Sequence, residues 1–234
     1  MTPHDLVMQH YRLPFTMRPF QVEDVNWLAP RRSSGLYLEP GLGKTAVSTV
    51  CALYKLITGE VEKVFVIAPP FLVAQWARWL SRIEPIDKPP LRVSRYQGTP
   101  AQRKAVSLDV DFLLMGIQIF RKDLCIRTTL PGGGVMWEGR SPFPGVPLYV
   151  ILDEAHAIKN VGSGIYHCYR DLVEGQSHQM LTGTPLNVPE DGYAYIRLVA
   201  PGVYRNLHHF NQTHVVELDN FNKPCEYKNL DLLH

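Results

Sequence analysis

The sequence predicts an α/β fold with a central, mostly parallel sheet and helices on both of its faces. Three observations lead there. Short, nearly continuous apolar segments alternate with longer mixed segments through the middle of the chain, the pattern of strands buried on both sides and of the helices that cover them. A glycine-rich turn joins one apolar segment to the helical segment after it. Another apolar run, Leu148 to Leu152, ends directly in Asp153 and Glu154, and ligands of open α/β sheets bind at such C-terminal strand ends.

Taken in order, residues 35–39, 63–68, 91–94, 111–116, 148–153 and 179–182 read as strands, and residues 44–58, 72–82, 101–106, 166–173 and 191–199 as helices. This alternation implies parallel pairing through right-handed crossovers. Residues 127–147 contain Pro-Gly-Gly-Gly and a second proline-rich cluster, which predicts a long surface loop ahead of a strand. From about residue 206 the chain is mixed and polar, and it reads as a connection toward something further.

A chain of 234 residues suffices for one large domain or two small ones. Its 45% hydrophobic and 20% charged residues are those of a chain that buries a real core, which excludes a disordered polyelectrolyte. The net charge of +2 neither demands nor excludes nucleic acid, because a local basic face matters more than the total. The apolar runs are too short to span a bilayer, so no membrane partner is expected, and the N-terminus lacks the basic start and apolar stretch of a secretory signal. Cys51, Cys125, Cys168 and Cys225 are widely spaced without a CxxC pair, which suits reduced thiols in a reducing compartment.

The turn after the first strand is Pro40-Gly-Leu-Gly-Lys-Thr45. Glycines at a helix start let backbone N–H groups close around phosphate oxygens, assisted by the positive helix end. Gly41, Leu42 and Gly43 would form that cradle, Lys44 would reach the β- and γ-phosphates of ATP, and the Thr45 hydroxyl would face Mg²⁺. The plain alternative is a strand–helix turn with a chance Gly-Lys-Thr. Asp153 suits Mg²⁺, a hard cation that takes oxygen ligands, and Glu154 suits polarising the water that attacks the γ-phosphate. As solvated acids capping a helix they would need neither the buried strand before them nor the phosphate loop upstream. A further strand ends in Thr182-Gly-Thr-Pro185, whose hydroxyls on Thr182 and Thr184 would sense whether the γ-phosphate is present.

These strings together resemble the motor lobe of superfamily 2 helicases and translocases, in the Swi/Snf-like branch. Glu39 to Thr45 is similar to the family's E-x-G-x-G-K-T, with Pro40 where methionine is usual, and Asp153-Glu-Ala-His156 with Lys159 and Asn160 to its DEAH motif. Leu181 to Leu186 resembles the start of its coupling motif, LTGTPLQN, and the resemblance implies that His156 links the acids to Thr182 and Thr184. Met17 to Leu28 resembles the segment whose glutamine, here Gln21, reads adenine; an amide both donates and accepts, as the adenine edge requires. Val64 to Trp76 resembles the motif that touches the nucleic-acid backbone, which places Pro69, Pro70 and Gln75 there; Gly116, with Ile117 and Gln118, stands where the next motif has Thr-Tyr-Glu. Arg95 to Arg103 resembles a structural turn of the family.

The resemblance runs from about Met17 to Val188. It implies a three-layer RecA-like P-loop domain at residues 31–203, an adenine-reading segment at 1–30, and a connection at 204–234 toward a second RecA-like lobe with the arginine fingers. The implied activity is hydrolysis of ATP with Mg²⁺ to move along DNA, duplex DNA first. The alternatives are an RNA-directed helicase lobe and a nucleotide-dependent binding module without motor activity. The implied location is the cytoplasm of a bacterium or a viral host, or the nucleus of a eukaryote.

Overall fold

A computed structural model of the chain describes residues 1–186, 188–218 and 224–230. Asn187, residues 219–223 and 231–234, and the side chains of Leu218 and Cys225 lie outside the described set, and with them parts of the coupling string and of the C-terminal connection.

The chain opens with α1 (Pro3–His10), whose start is set by Thr2: its hydroxyl accepts from the Asp5 amide, and Pro3 occupies the first turn. The short strand β1 (Tyr11–Arg12), α2 (Pro19–Leu28) and the first sheet strand β2 (Ser33–Leu36) follow. Then come α3 (Lys44–Thr58), β3 (Lys63–Ala68), α4 (Pro70–Leu80), the two-residue β4 (Glu84–Pro85), β5 (Val93–Tyr96), α5 (Pro100–Lys104), β6 (Phe112–Gly116) and α6 (Ile117–Asp123). The second half holds β7 (Cys125–Thr129), β8 (Val135–Gly139), β9 (Leu148–Asp153), α7 (Gly164–Val173), β10 (Ser177–Leu181), α8 (Asp191–Val199), α9 (Leu207–His214), β11 (Val215–Leu218) and β12 (Pro224–Tyr227).

Six strands form one parallel sheet in the order β2-β10-β9-β3-β6-β5. Alternation along each strand sends its residues to opposite faces. Val64, Val66, Tyr149 and Ile151 pack toward α1 to α4, with Val50, Leu53 and Trp76. Phe65, Ile67, Val150 and Leu152 pack toward α6 to α8, with Phe120, Tyr169 and Leu198. The result is the three-layer fold expected. Val7, Val25 and Leu28 share the first core with α3, so residues 1–30 pack with the sheet domain rather than apart from it.

Two expectations are corrected. Residues 127–147 are not one long loop: Cys125 to Thr129 pairs antiparallel with Val135 to Gly139, and Pro-Gly-Gly-Gly is the turn between them, with Gly132 at φ 99° and Gly133 at φ 87°. The glycines mark a hairpin tip, because a tight reversal needs positive φ. The tail carries a sheet of its own, β11 with β12, beside α9. Smaller shifts occur at β2, which ends at Leu36 rather than residue 39, and at β5, which starts two residues late.

The hairpin is held by close approach. Gly139 lies against the Cys168 backbone of α7 so tightly that a Cβ would overlap it, and Trp137 covers Gly164. We expect Gly139→Ala to cost about 1–3 kcal/mol, the usual range for overpacking, read as a lower Tm; an unchanged Tm would mean that the hairpin does not dock on α7.

His178 on β10 is buried, edge-on to Tyr169, and burial pushes its imidazole down to about 4. An unfolded imidazole protonates near 6.5, so between these values the unfolded chain binds more protons. This contribution is complete above 6.5 and lost as pH falls toward 4, by about 3 kcal/mol at most. Chemical denaturation should therefore show wild type losing about 3 kcal/mol relative to His178→Asn between pH 7 and pH 4; parallel pH profiles would contradict the burial.

Candidate nucleotide site

The early end of β2 matters to the site. Leu38 and Glu39 leave the ladder, and their carbonyls accept from Lys44 Nζ at 2.7 and 3.5 Å. The loop then turns through Gly41 at φ 86° and Gly43 at φ 88°, a region that only glycine enters without strain. Gly43 is the N-cap of α3, and no described side chain caps that helix, which leaves its positive end for an anion.

Gln21 braces this loop. It is buried, its Oε1 accepts from the Arg18 amide at 2.9 Å, and its Nε2 donates to the Leu42 carbonyl at 2.9 Å. The Leu42 amide donates to the Glu39 carbonyl. Both backbone groups of Leu42 therefore serve the loop itself. A Cβ on Gly43 would overlap Gln21 Nε2, so glycine is required there for space as well as for φ.

Asp153 ends β9 and is buried. Its Oδ1 accepts from the Glu154 amide at 3.0 Å and its Oδ2 from the Trp76 indole at 2.8 Å. Burial pushes its carboxyl up, and the indole hydrogen bond opposes that shift. Glu154 sits at φ 56°, a left-handed conformation that is costly for a residue with a Cβ, and pairs with His156 Nδ1 at 3.2 Å. A turn of 3-10 helix, Ala155–Ile158, follows.

Between these two groups stands β10. Leu181 is level with Leu36 on one side and with Asp153 on the other. Thr182 is buried at its end, and its hydroxyl accepts from the Thr184 amide at 3.1 Å. Gly183 packs on Pro40 of the phosphate loop, where a Cβ would lie 3.1 Å from the ring. The expected link from His156 to Thr182 and Thr184 is not formed by any described hydrogen bond; His156 serves Glu154, and the coupling turn touches the phosphate loop instead. Lys159 and Asn160 are structural: Lys159 pairs with Asp191 at 3.1 Å, and Asn160 accepts from the Gly162 amide.

A cleft of about 550 Å³ gathers Gln21, Gly41, Gly43, Lys44 and Thr45 on one wall, with Asp153 and Glu154 opposite. A phosphate cradle, a cation and two acids in a space of this size fit a nucleoside triphosphate with its divalent metal. Gln75, placed with the nucleic-acid contacts by its motif, lines this cleft, as do Leu72 and Trp79 of the same helix. Pro69, Pro70 and Gly116 cluster elsewhere. Ala68 and Gly116 are register partners on β3 and β6, and a Cβ on Gly116 would lie 3.7 Å from the Pro70 ring. Phe71, beside them, is 74% exposed. Arg103 is structural as expected, forking onto Asp123 at 2.6 and 3.0 Å.

Sequence reasoning missed Phe15 and Thr16 as cleft residues, and Trp76 as a partner of Asp153. Phe15 stacks on Trp79 with ring centroids 5.2 Å apart. The partnership of Trp76 and Asp153 crosses 77 residues, a separation at which no local pattern announces it.

Gly43→Ala should lower both Tm and ATP-analogue affinity, whereas Gly41→Ala, with open space at its Cβ, should cost only the backbone strain of about 1 kcal/mol. Adding Gln21→Ala to Gly43→Ala should restore part of the loss in Tm. Equal penalties at the two glycines, with no rescue, would remove the bracing role of Gln21.

The family description "SNF2-related domain" matches residues 20–234. Among curated proteins, the chain is 28% identical over 206 residues to the ISWI chromatin-remodeling complex ATPase ISW1 of Saccharomyces cerevisiae, covering 83% of this chain and 17% of that protein. It is 27% identical over 176 residues to the mouse (Mus musculus) SWI/SNF-related matrix-associated actin-dependent regulator of chromatin subfamily A containing DEAD/H box 1, covering 73% and 16%. The chain thus spans about a sixth of the length of these relatives. Among solved structures, the Sulfolobus solfataricus SWI2/SNF2 ATPase core in complex with dsDNA is similar with a TM-score of 0.66 at 22% identity, over 87% of this chain and 40% of that one. The same core domain without DNA in its description gives 0.63.

Proposed function

This chain belongs to the SNF2-related domain family, and on that premise we propose that it is the ATP-binding lobe of a DNA motor, hydrolysing ATP to move along duplex DNA when joined to a second RecA-like lobe. The observation that carries the reading is the sheet order β2-β10-β9. It sets the phosphate loop, the Thr182 turn and the acid pair side by side at one edge of the sheet.

The roles follow from placement. The N-terminus of α3 and Lys44, released from the Leu38 carbonyl, bind the phosphates. Thr45 and Asp153 hold Mg²⁺, which when bound offsets the charge that develops on the phosphate oxygens. Glu154 takes a proton from the attacking water, and His156 orients it. Gln21 has one amide hydrogen and its remaining lone pairs for adenine, since each group of an amide supports more than one bond. The Gly183–Pro40 contact lets the Thr182 turn respond to the loop.

DNA is placed at the Pro69, Pro70 and Gly116 cluster with the exposed Phe71, one strand beyond the acids. The presence of dsDNA in the description of the Sulfolobus solfataricus core supports DNA as the partner, and the choice of surface rests on the motif likeness and on the exposed Phe71. A second lobe supplies the arginines that close the site, a contribution of about 10³–10⁵ in turnover in other nucleotide hydrolases. Among the described residues no helix is long and apolar enough to cross a membrane. The protein works where its DNA is: the cytoplasm of a bacterium or viral host, or the nucleus of a eukaryote.

In the complete motor, Glu154→Gln should leave binding of an ATP analogue unchanged and lower DNA-stimulated turnover about 10²–10⁴-fold, the usual worth of a positioned base. Stimulation should be strongest with duplex DNA, weaker with single strands and least with RNA. Turnover that survives the substitution would remove Glu154 as the base, and stimulation by RNA alone would replace the DNA reading.

A further inference from the structure

We propose that Trp76 is a positioning residue of the ATP site, its indole N–H fixing the Asp153 carboxylate in the orientation that receives a divalent cation. The proposal deepens the function above and rests on its assignment of Asp153 to Mg²⁺.

An aspartate carboxylate turns about a soft, nearly two-fold torsion. Here each oxygen has its own donor, the Glu154 amide on Oδ1 and the Trp76 indole on Oδ2. Two donors on two oxygens fix the plane of the group. An ionised carboxylate has about four lone-pair positions, so two donors leave others for a cation, and Asp153 lines the same cleft as Lys44 and Thr45.

The identity of the donor matters. A lysine or arginine at this place would also hold the carboxylate, but it would cancel the charge that attracts the metal. An indole only donates and carries no charge. It holds Asp153 and leaves it anionic, in a buried place where an unpartnered carboxylate would be costly.

A purely packing role for Trp76 does not account for the bond. The side chain is 1% exposed and belongs to the core between α4 and the sheet, and packing alone does not require its N–H to meet a carboxylate oxygen. The same helix reaches the other wall of the site. Trp79 donates to Thr49 Oγ1 at 3.0 Å, and Thr49 donates to the Thr45 carbonyl at 2.7 Å. The two indoles of α4 thus bear on both residues assigned to the metal.

The test measures binding of a fluorescent ATP analogue to the full chain by anisotropy, across a Mg²⁺ titration and in EDTA. Trp76→Phe should raise the half-saturating Mg²⁺ concentration about tenfold, the scale of one hydrogen bond to a charged group, with affinity in EDTA unchanged. Replacing Trp76 with benzothienylalanine, which keeps the ring shape and lacks the N–H, should give the same shift, and decides the matter if the phenylalanine variant fails to fold. Asp153→Asn should abolish the Mg²⁺ dependence. If it does, and the half-saturating concentration stays within twofold of wild type without the indole N–H, the positioning role of Trp76 is overturned alone. If Asp153→Asn leaves the Mg²⁺ dependence intact, the metal assignment of Asp153 fails and takes the proposal with it.

Discussion

The parallel pairing of β10 between β2 and β9 holds Leu181 level with Leu36 on one side and with Asp153 on the other, and the candidate site depends on that register. Three neighbouring strands end at nearly the same height. Each end is followed by a different chemical group: a glycine loop, a threonine turn and an acid pair. A slip of one residue would send every side chain of β10 to the opposite layer. Met180 would leave the core of α7 and α8 for that of α3. The apolar contacts of both layers therefore secure the alignment of the polar groups at the edge.

The polar groups at that edge are engaged with the protein itself. Lys44 rests on the Leu38 carbonyl, Gln21 on the Leu42 carbonyl, and Glu154 on His156. Of these, the Gln21 bond satisfies a buried amide that would be costly to leave alone, while Lys44 and Glu154 are partly exposed. A phosphate at the helix end offers Lys44 a stronger, charge-assisted partner than a peptide carbonyl does, so binding exchanges partners. Gln21 differs from Lys44 here. Its bonds shape the loop, and it lies close enough to Gly43 that a Cβ there would displace its amide. The adenine-reading assignment and the bracing observed here use different lone pairs and hydrogens of one amide.

How much of this could be read from the sequence depended on how local the signal was. The strands at 63–68 and 148–153 and the helices at 44–58 and 191–199 have the bounds expected, because their signals are neighbours in sequence: apolar runs for the strands, and Gly43 and Gly59 at the two ends of the first helix. The hairpin at 125–139 was misread for a related reason. Its tip glycines were visible, but its two strands alternate weakly and face largely outward, with Val135 and Met136 exposed. The helix at Pro3–His10 has a Thr-Pro start, but it is too short for an apolar period to stand out. At the site, the residues that carry charge were legible as motifs. The residues that hold them, Trp76 on Asp153 and Gln21 on Leu42, act across the fold and leave no spacing to detect.

Helix α4 shows where this non-local layer leads. Its eleven residues span about 16 Å. Pro70 at its start lies against Gly116 at the edge assigned to DNA, beside the exposed Phe71. One turn further, Leu72 and Gln75 enter the nucleotide cleft. Trp76 and Trp79 then reach Asp153 and Thr49. The helix is packed into the core through Val73, Trp76 and Leu80, and close-packed interiors transmit displacement instead of absorbing it. A tilt of the whole helix would therefore change the angle at which the Trp76 indole meets the Asp153 carboxylate. A hydrogen bond weakens steeply with angle, so such a tilt would be felt at the acid. The route runs through one rigid element and one side-chain bond, separate from the Thr182 turn, which meets the phosphate loop through Gly183 and Pro40.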